Sequence, residues 1–305
     1  MLFNCIITLW FARKFFWGGL SDSLCRIAVP CFFAISGYCF KKFSNREKYI
    51  IKNCLIFCVA TSAYAVIFFL TNSYKVDCKD IARFFLLQDT DCIQAGHLWF
   101  LLALIYCQIC IYVSFKWNIS TRCWIAIIVL LLTIQLFLGY INLYTNISIS
   151  SRERCNFITM GIPFFVIGIL NVDREMYKNL TLKQNYLIGI FGVLITLIER
   201  YIYNSNMIIF IGSIILTILI ICNIERPICK QGKLQIWLET LGERESLIIY
   251  IIHPLVIKIY DKFFNESFGT SWIRPIIIFA VSYLIAHIIM VSIKLHKKEK
   301  DMLRI

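Results

Sequence analysis

The sequence predicts an all-α fold: a polytopic membrane bundle of about ten transmembrane helices. Three observations carry that reading. Of the 305 residues, 59% are hydrophobic and only 16% charged, where a soluble domain has about 45–50% and about 25%; the mean hydropathy is +0.74. The apolar residues gather into runs whose lengths approach the roughly 20 residues that a helix needs to cross a bilayer. Aromatic rings are abundant, with 25 Phe and 15 Tyr, as the two interfaces of a membrane favour.

In chain order the apolar runs are Leu24–Phe40, Ile50–Leu70, His97–Ser114, Trp124–Tyr140, Phe157–Leu170, Leu187–Ile198, Met207–Ile224, Leu247–Tyr260 and Trp272–Ile293. Met1–Phe11 is too short to cross and reads as the tail of a tenth helix. No internal repeat or low-complexity linker separates these runs, so residues 1–305 read as a single integral membrane domain. The N-terminus lacks the charged start and small-residue cleavage site of a signal peptide.

The formal charge of +13 does not imply nucleic acid, because the basic residues lie between apolar spans and not on one amphipathic surface. They sort by the positive-inside rule instead. With the loop after the first full span placed in the cytoplasm, the cytoplasmic segments hold 19 of the 31 Lys and Arg. Each such segment holds at least two, from Lys41 and Lys42 to Lys297 and Lys298 in the tail. The longest opposite loop, Thr71–Gly96, carries Asp77, Asp80, Asp89 and Asp91 and is close to neutral. The expected topology is a multi-pass cell-membrane protein with that loop outside and the C-terminus cytoplasmic, and its bulk partner is membrane lipid.

Most of the 14 cysteines lie inside apolar runs. Cys107 and Cys110 have metal-like spacing but no second ligand pair, so they read as core packing and no metal is expected. Cys78 and Cys92 share a polar loop and would pair in an oxidising compartment. No phosphate-binding loop, dinucleotide fingerprint or metalloprotease motif is present.

Polar side chains at membrane depth are costly, and each is a functional candidate. Helical spacing places Arg26, Pro30, Phe33 and Gly37 on one face, with Pro30 read as a kink and Gly37 as a place where a helix or a ligand comes close. Arg26 serves a site there or reaches out to the interface. His97 opens the next long run beside Trp99, as an interfacial residue or a catalyst. His253 lies midway in its run before Pro254, where it must face protein or water, in a functional role or a buried hydrogen bond. Arg152, Arg154 and Glu199-Arg200 would meet at one surface, to bind an anionic or polyhydroxyl group or as ordinary loop ends. His287 has no polar neighbour in its run and reads as packing.

Three strings, in order, carry a resemblance: Arg26-x-x-Val29-Pro30-x-Phe32-Phe33-x-x-Ser36-Gly37-Tyr38, then Gly96-His97-Leu98-Trp99-Phe100-Leu101, then Tyr250-x-x-His253-Pro254-Leu255-Val256. A fourth runs from Arg154-Cys155-Asn156-Phe157 to Gly161-Ile162-Pro163-Phe164-Phe165 and Gly168. Together they resemble the acyltransferase 3 family of membrane-bound acyltransferases over about Arg26–Val256. The resemblance implies transfer of an acyl group, often acetyl from acetyl-CoA, to a hydroxyl of a cell-envelope polysaccharide or lipid-linked sugar. It implies His97 and Arg26 as catalytic residues, and Ser36, Gly37, Tyr38, Arg152, Arg154 and His253 as substrate-binding ones.

One departure accompanies the resemblance. Family members carry an arginine and a histidine in the first helix, and that histidine is usually assigned to catalysis. Here Met1–Phe11 contains neither; the expectation is a chain that lacks part of the helix, and the alternative is a degenerate relative, inactive as it stands. Rival classes are a transporter or flippase-like protein, for which pseudo-symmetric broken helices would speak, and a non-catalytic subunit of polysaccharide assembly.

Overall fold

The computed structural model describes residues 26–71, 77–145, 147, 149–174, 180–203, 207–225, 232–264 and 273–302. The expected tail of a tenth helix, Met1–Phe11, lies outside them. Among the described residues the secondary structure is entirely helical. The helices are α1 (Ala28–Lys42), α2 (Arg46–Thr71), α3 (Cys78–Leu86), α4 (Trp99–Phe115), α5 (Thr121–Tyr144), α6 (Ile162–Arg174), α7 (Leu182–Tyr203), α8 (Ile211–Cys222), α9 (Lys233–Arg244), α10 (Ser246–Phe263) and α11 (Arg274–Met302).

Six segments among the described residues are long and apolar enough to cross a membrane, so the chain is multi-pass, but the expected count of ten is not reached. Two expected runs lengthen: Leu187–Ile198 belongs to the 22-residue α7, and Phe157–Leu170 to a span starting at Ser151. Helices continue past the apolar run because polar ends are welcome at the interface. In contrast, Met207–Ile224 shrinks to the 12-residue α8, since Met207–Phe210 lie outside any helix and Phe210 is extended. The chain forms two compact units, Arg26–Arg226 and a second that holds the described residues from Gly232 onward.

The first unit is built around α1 and α6, its most extensively packed pair. A Cβ on Gly37 would overlap the Phe165 carbonyl, and one on Gly168 would overlap the Ala34 carbonyl. These two glycines let the backbones touch, which is how helices pack where no hydrophobic force separates side chain from solvent. Pro30 does not kink α1. It is the third residue of the helix, in the first turn, where a missing N–H breaks no intrahelical bond. Lys41 and Lys42 occupy the last turn of α1, where cations oppose the negative end of the dipole.

Helix α4 packs beside α1 with the same direction: Phe33 meets Phe100 at 4.7 Å between ring centroids, and Phe40 meets Phe115 at 6.5 Å. Helix α2 joins α4 through a buried hydrogen bond at 3.1 Å from Asn53 Nδ2 to Gln108 Oε1. Helices α7 and α8 form a second close pair. The Glu199 carboxylate, on α7, accepts both the Ile211 and Gly212 N–H groups at 3.0 Å and so caps the start of α8, where an anion is favoured. Glu199 therefore belongs to a helix cap rather than to a surface cluster with Arg152 and Arg154.

The second unit has a small core of Leu241, Ile249 and Ala286 joining α9, α10 and α11. His287 is not apolar packing there. Its Nδ1 lies 2.8 Å from Glu245 Oε1, a partner 42 residues away that helical periodicity cannot reveal.

Candidate active site

Polar side chains converge at the end of the first unit where α1 and α4 begin. Gly96–Leu98 form a 3-10 turn that leads into α4. The His97 ring meets the edge of Tyr64 from α2, centroids 5.0 Å apart, and Tyr64 is buried. Trp99, one position into α4, faces Phe33 of α1 at 6.4 Å. Arg152 caps this arrangement: its guanidinium lies 5.6 Å over the Trp99 ring, and its Nη2 donates to the Gly96 carbonyl at 2.7 Å.

Arg152 is itself held by two carboxylates, Asp91 at 3.4 Å and Asp89 at 3.7 Å. Asp89 also accepts two hydrogen bonds from Arg83 of α3, at 2.9 and 3.2 Å. Burial works against the charged form of Asp89, but the Arg83 hydrogen bonds, the Asp91 N–H and the Arg152 charge outweigh it and hold the carboxyl below its ordinary value. A cleft of about 750 Å³ opens beside this network, bordered by Asp77, Lys79, Arg83, Asp89, Asp91 and Gln94. Asp91 links cleft and turn, since any Cβ on Gly96 would overlap its carboxylate.

The segment carrying Arg152 has its own local logic. Ser150 and Glu153 form a capping box that starts the single turn Ser151–Arg154. Asn156 then caps a π-helical turn, Phe157–Gly161, by accepting from the Ile158 and Thr159 N–H groups. Gln88 ties the turn back to the Asp89 loop by accepting from Phe157 N at 3.1 Å.

The other expected residues are distributed differently. Arg26 precedes α1 at the same end as His97, with its guanidinium 5.0 Å from the centroid of the buried Phe210 ring. Arg154 is buried, and its Nε donates to the Ile149 carbonyl at 3.2 Å, away from the cleft lining. Gly37 faces the Phe165 backbone, half-buried Ser36 precedes it, and Tyr38 lies near the opposite end of α1. There the Tyr38 hydroxyl and the Lys42 ammonium both hydrogen-bond Glu225, and the ammonium stacks on the Tyr38 ring at 4.6 Å.

His253 lies in the second unit, buried, with Nδ1 3.2 Å from the Ile249 carbonyl. A carbonyl only accepts, so Nδ1 carries a proton. Cys78 and Cys92 are free thiols, not a disulfide. Cys107 is buried as core packing requires, but Cys110 is exposed, so the core-packing expectation fails for Cys110.

The contacts also respect the alternation of loops. The Asp89 loop and the Arg152 segment, both expected outside, touch each other, as do Lys42 and Glu225, both expected inside. Sequence reading did not single out Tyr64, Asp89, Asp91 or Glu225 as site residues. The Asp89 and Asp91 acids were visible only as charge in a loop, and Tyr64 only as one aromatic among many in an apolar run.

A family model for the acyltransferase domain, acyltransferase 3, matches residues 3–291. The chain belongs to that family, and it is a multi-pass membrane protein of the acyltransferase class. Neither the search of curated proteins nor that of solved structures gave a match.

Proposed function

We propose that the protein transfers an acyl group, acetyl in the simplest case, from acyl-CoA to a hydroxyl of a cell-envelope polysaccharide or lipid-linked sugar. The observation that carries the proposal is the His97 turn, set beside a polar cleft and supported by Arg152. A base is needed to take the proton of the acceptor hydroxyl, and His97 fills that role. The hydroxyl oxygen then attacks the thioester carbonyl to give a tetrahedral oxyanion. Arg26, at the same end of α1, stabilises the developing charge. Collapse breaks the carbon–sulfur bond, the CoA thiolate takes the proton back from His97, and the ester product leaves.

The mixed carboxylate, guanidinium, ammonium and amide border of the cleft suits the donors and acceptors of a polyhydroxyl acceptor. Ser36 and Tyr38 lie toward the end of α1 assigned to the cytoplasm, where acyl-CoA is made available. The cleft end is outside and the C-terminus cytoplasmic.

The test is incorporation of radiolabelled acetyl from acetyl-CoA into the glycan of membranes that carry the protein, normalised to inserted protein. His97→Ala is expected to lower incorporation by about 10²–10⁴-fold, the usual contribution of a positioned acid–base group, with insertion near normal. Full specific activity in that variant would overturn the role given to His97.

A further inference from the structure

We propose that Arg152 is a positioning residue: it clamps the loop from Gln88 to Gly96 against the segment before α6 and so fixes the His97 ring. The proposal rests on the reading of His97 as the base. It departs from a substrate-binding role for Arg152, because its guanidinium is already engaged by Asp89, Asp91 and the Gly96 carbonyl, with Trp99 beneath. The side chain is 18% exposed. A planar guanidinium presents its N–H groups as a fork, so one side chain joins two carboxylates and a carbonyl while lying flat on an indole.

The loop needs such a clamp. Gln88 and Gln94 both have φ of +52°, in the left-handed region that non-glycine residues enter at a cost and keep only when their surroundings enforce it. Inside the loop, Thr90 Oγ1 donates to the Ala95 carbonyl at 2.8 Å and the Ala95 N–H returns to the Thr90 carbonyl at 3.2 Å. Those bonds shape the loop without tying it to the bundle. Two ties hold it to the segment before α6, Gln88 to Phe157 N, and Arg152. Arg152 reaches the residue next to His97, since the Gly96 carbonyl is its acceptor. Releasing it frees the backbone on which the imidazole is mounted, and small losses of alignment at a reacting group are costly in rate.

The experiment compares the wild type with Arg152→Gln, Arg152→Lys and the milder Asp89→Asn, which leaves Arg152 in place. Two readouts are taken at neutral pH on membranes. The first is site-resolved labelling with a membrane-impermeant maleimide, as the ratio of Cys92, half-buried in the loop, to Cys78, exposed at the start of α3. The second is acetyl incorporation from radiolabelled acetyl-CoA, giving the maximal rate and the half-saturating donor concentration.

Arg152→Gln is expected to raise the Cys92:Cys78 ratio about tenfold, the effect of losing one charge-assisted hydrogen bond. Asp89→Asn should raise it less, with Arg152→Lys in between. The maximal rate should fall about tenfold or more in Arg152→Gln, with half-saturating acetyl-CoA unchanged. An unchanged labelling ratio in all three variants overturns the clamp, whatever the rates do. A shifted half-saturating concentration with the maximal rate kept would make Arg152 a binding residue and overturn the proposal equally. A raised ratio with wholly unaltered transfer would uphold the clamp and overturn the reading of His97 as the base.

Discussion

The two ends of α1 handle polarity in opposite ways. Near Arg26, charged groups from three separate segments gather around a turn, and a cleft of about 750 Å³ adjoins them. Near Tyr38 the helix is pressed against α6 through Gly37 and Gly168, and the polar groups there, Tyr38, Lys42 and Glu225, close on one another. One end keeps space and donors beside a histidine. The other uses its glycines for backbone contact. The first end holds the residues proposed for chemistry and the second holds backbone packing, although both carry motif residues of the same family.

The largest effect is expected at the glycine-packed end. Gly37→Ala puts a methyl group into the Phe165 carbonyl, and backbone cannot step aside as a flexible side chain does. Overpacking of this kind costs typically about 1–3 kcal/mol, and with the reciprocal contact at Gly168 also strained the upper end is expected. Inserted, monodisperse protein should drop steeply, while whatever remains keeps its specific activity. Normal yield combined with lost activity would reverse the assignment and place a ligand at Gly37.

Arg26→Lys acts at the other end of α1, with a smaller expected effect. Lysine keeps the charge but loses the plane that lies on Phe210 and can direct two donors at one oxyanion. Specific transfer activity should fall about tenfold, and insertion should be unaffected because both side chains tolerate the interface. Retained activity with reduced insertion would make Arg26 an anchor only.

Much of the fold was legible because bilayer thickness and apolar runs are one-dimensional facts. The family strings were legible for the same reason, since each is contiguous in sequence. Even some missed elements left local marks: the capping box at Asp77 and Asp80 announces α3 inside what reads as a loop. The site partners left none. Asp89 and Arg152 lie 63 positions apart in sequence, and their meeting depends on how α4 and α5 return the chain. His287 shows the same limit, paired with Glu245 on another helix. Pro30 misled because a proline kinks a helix interior but starts a helix end, and the start of α1 at Ala28 is not written in an uninterrupted apolar run.

The smallest expected effect concerns pH at the clamp. Asp89 has its carboxyl held below its ordinary value of 3.8, with burial opposing and the Arg83, Asp91 N–H and Arg152 interactions prevailing. A carboxyl depressed in the folded state stabilises the loop fully above its ordinary value and loses that contribution as pH falls through the depressed one. Hydrogen-exchange protection of the Gln94 and Ala95 amides, corrected for intrinsic exchange, should therefore stay flat from pH 8 to 5 and fall only in stronger acid. Asp89→Asn should lower the protection a few-fold at every pH in that window and leave it flat, since the titrating group is gone. The change is modest because the Arg83 side of the pair is about half exposed, at 51%, and an exposed ion pair is screened. A wild-type loop that already loosened between pH 7 and 5 would place the controlling proton elsewhere, with His97 the first group to substitute.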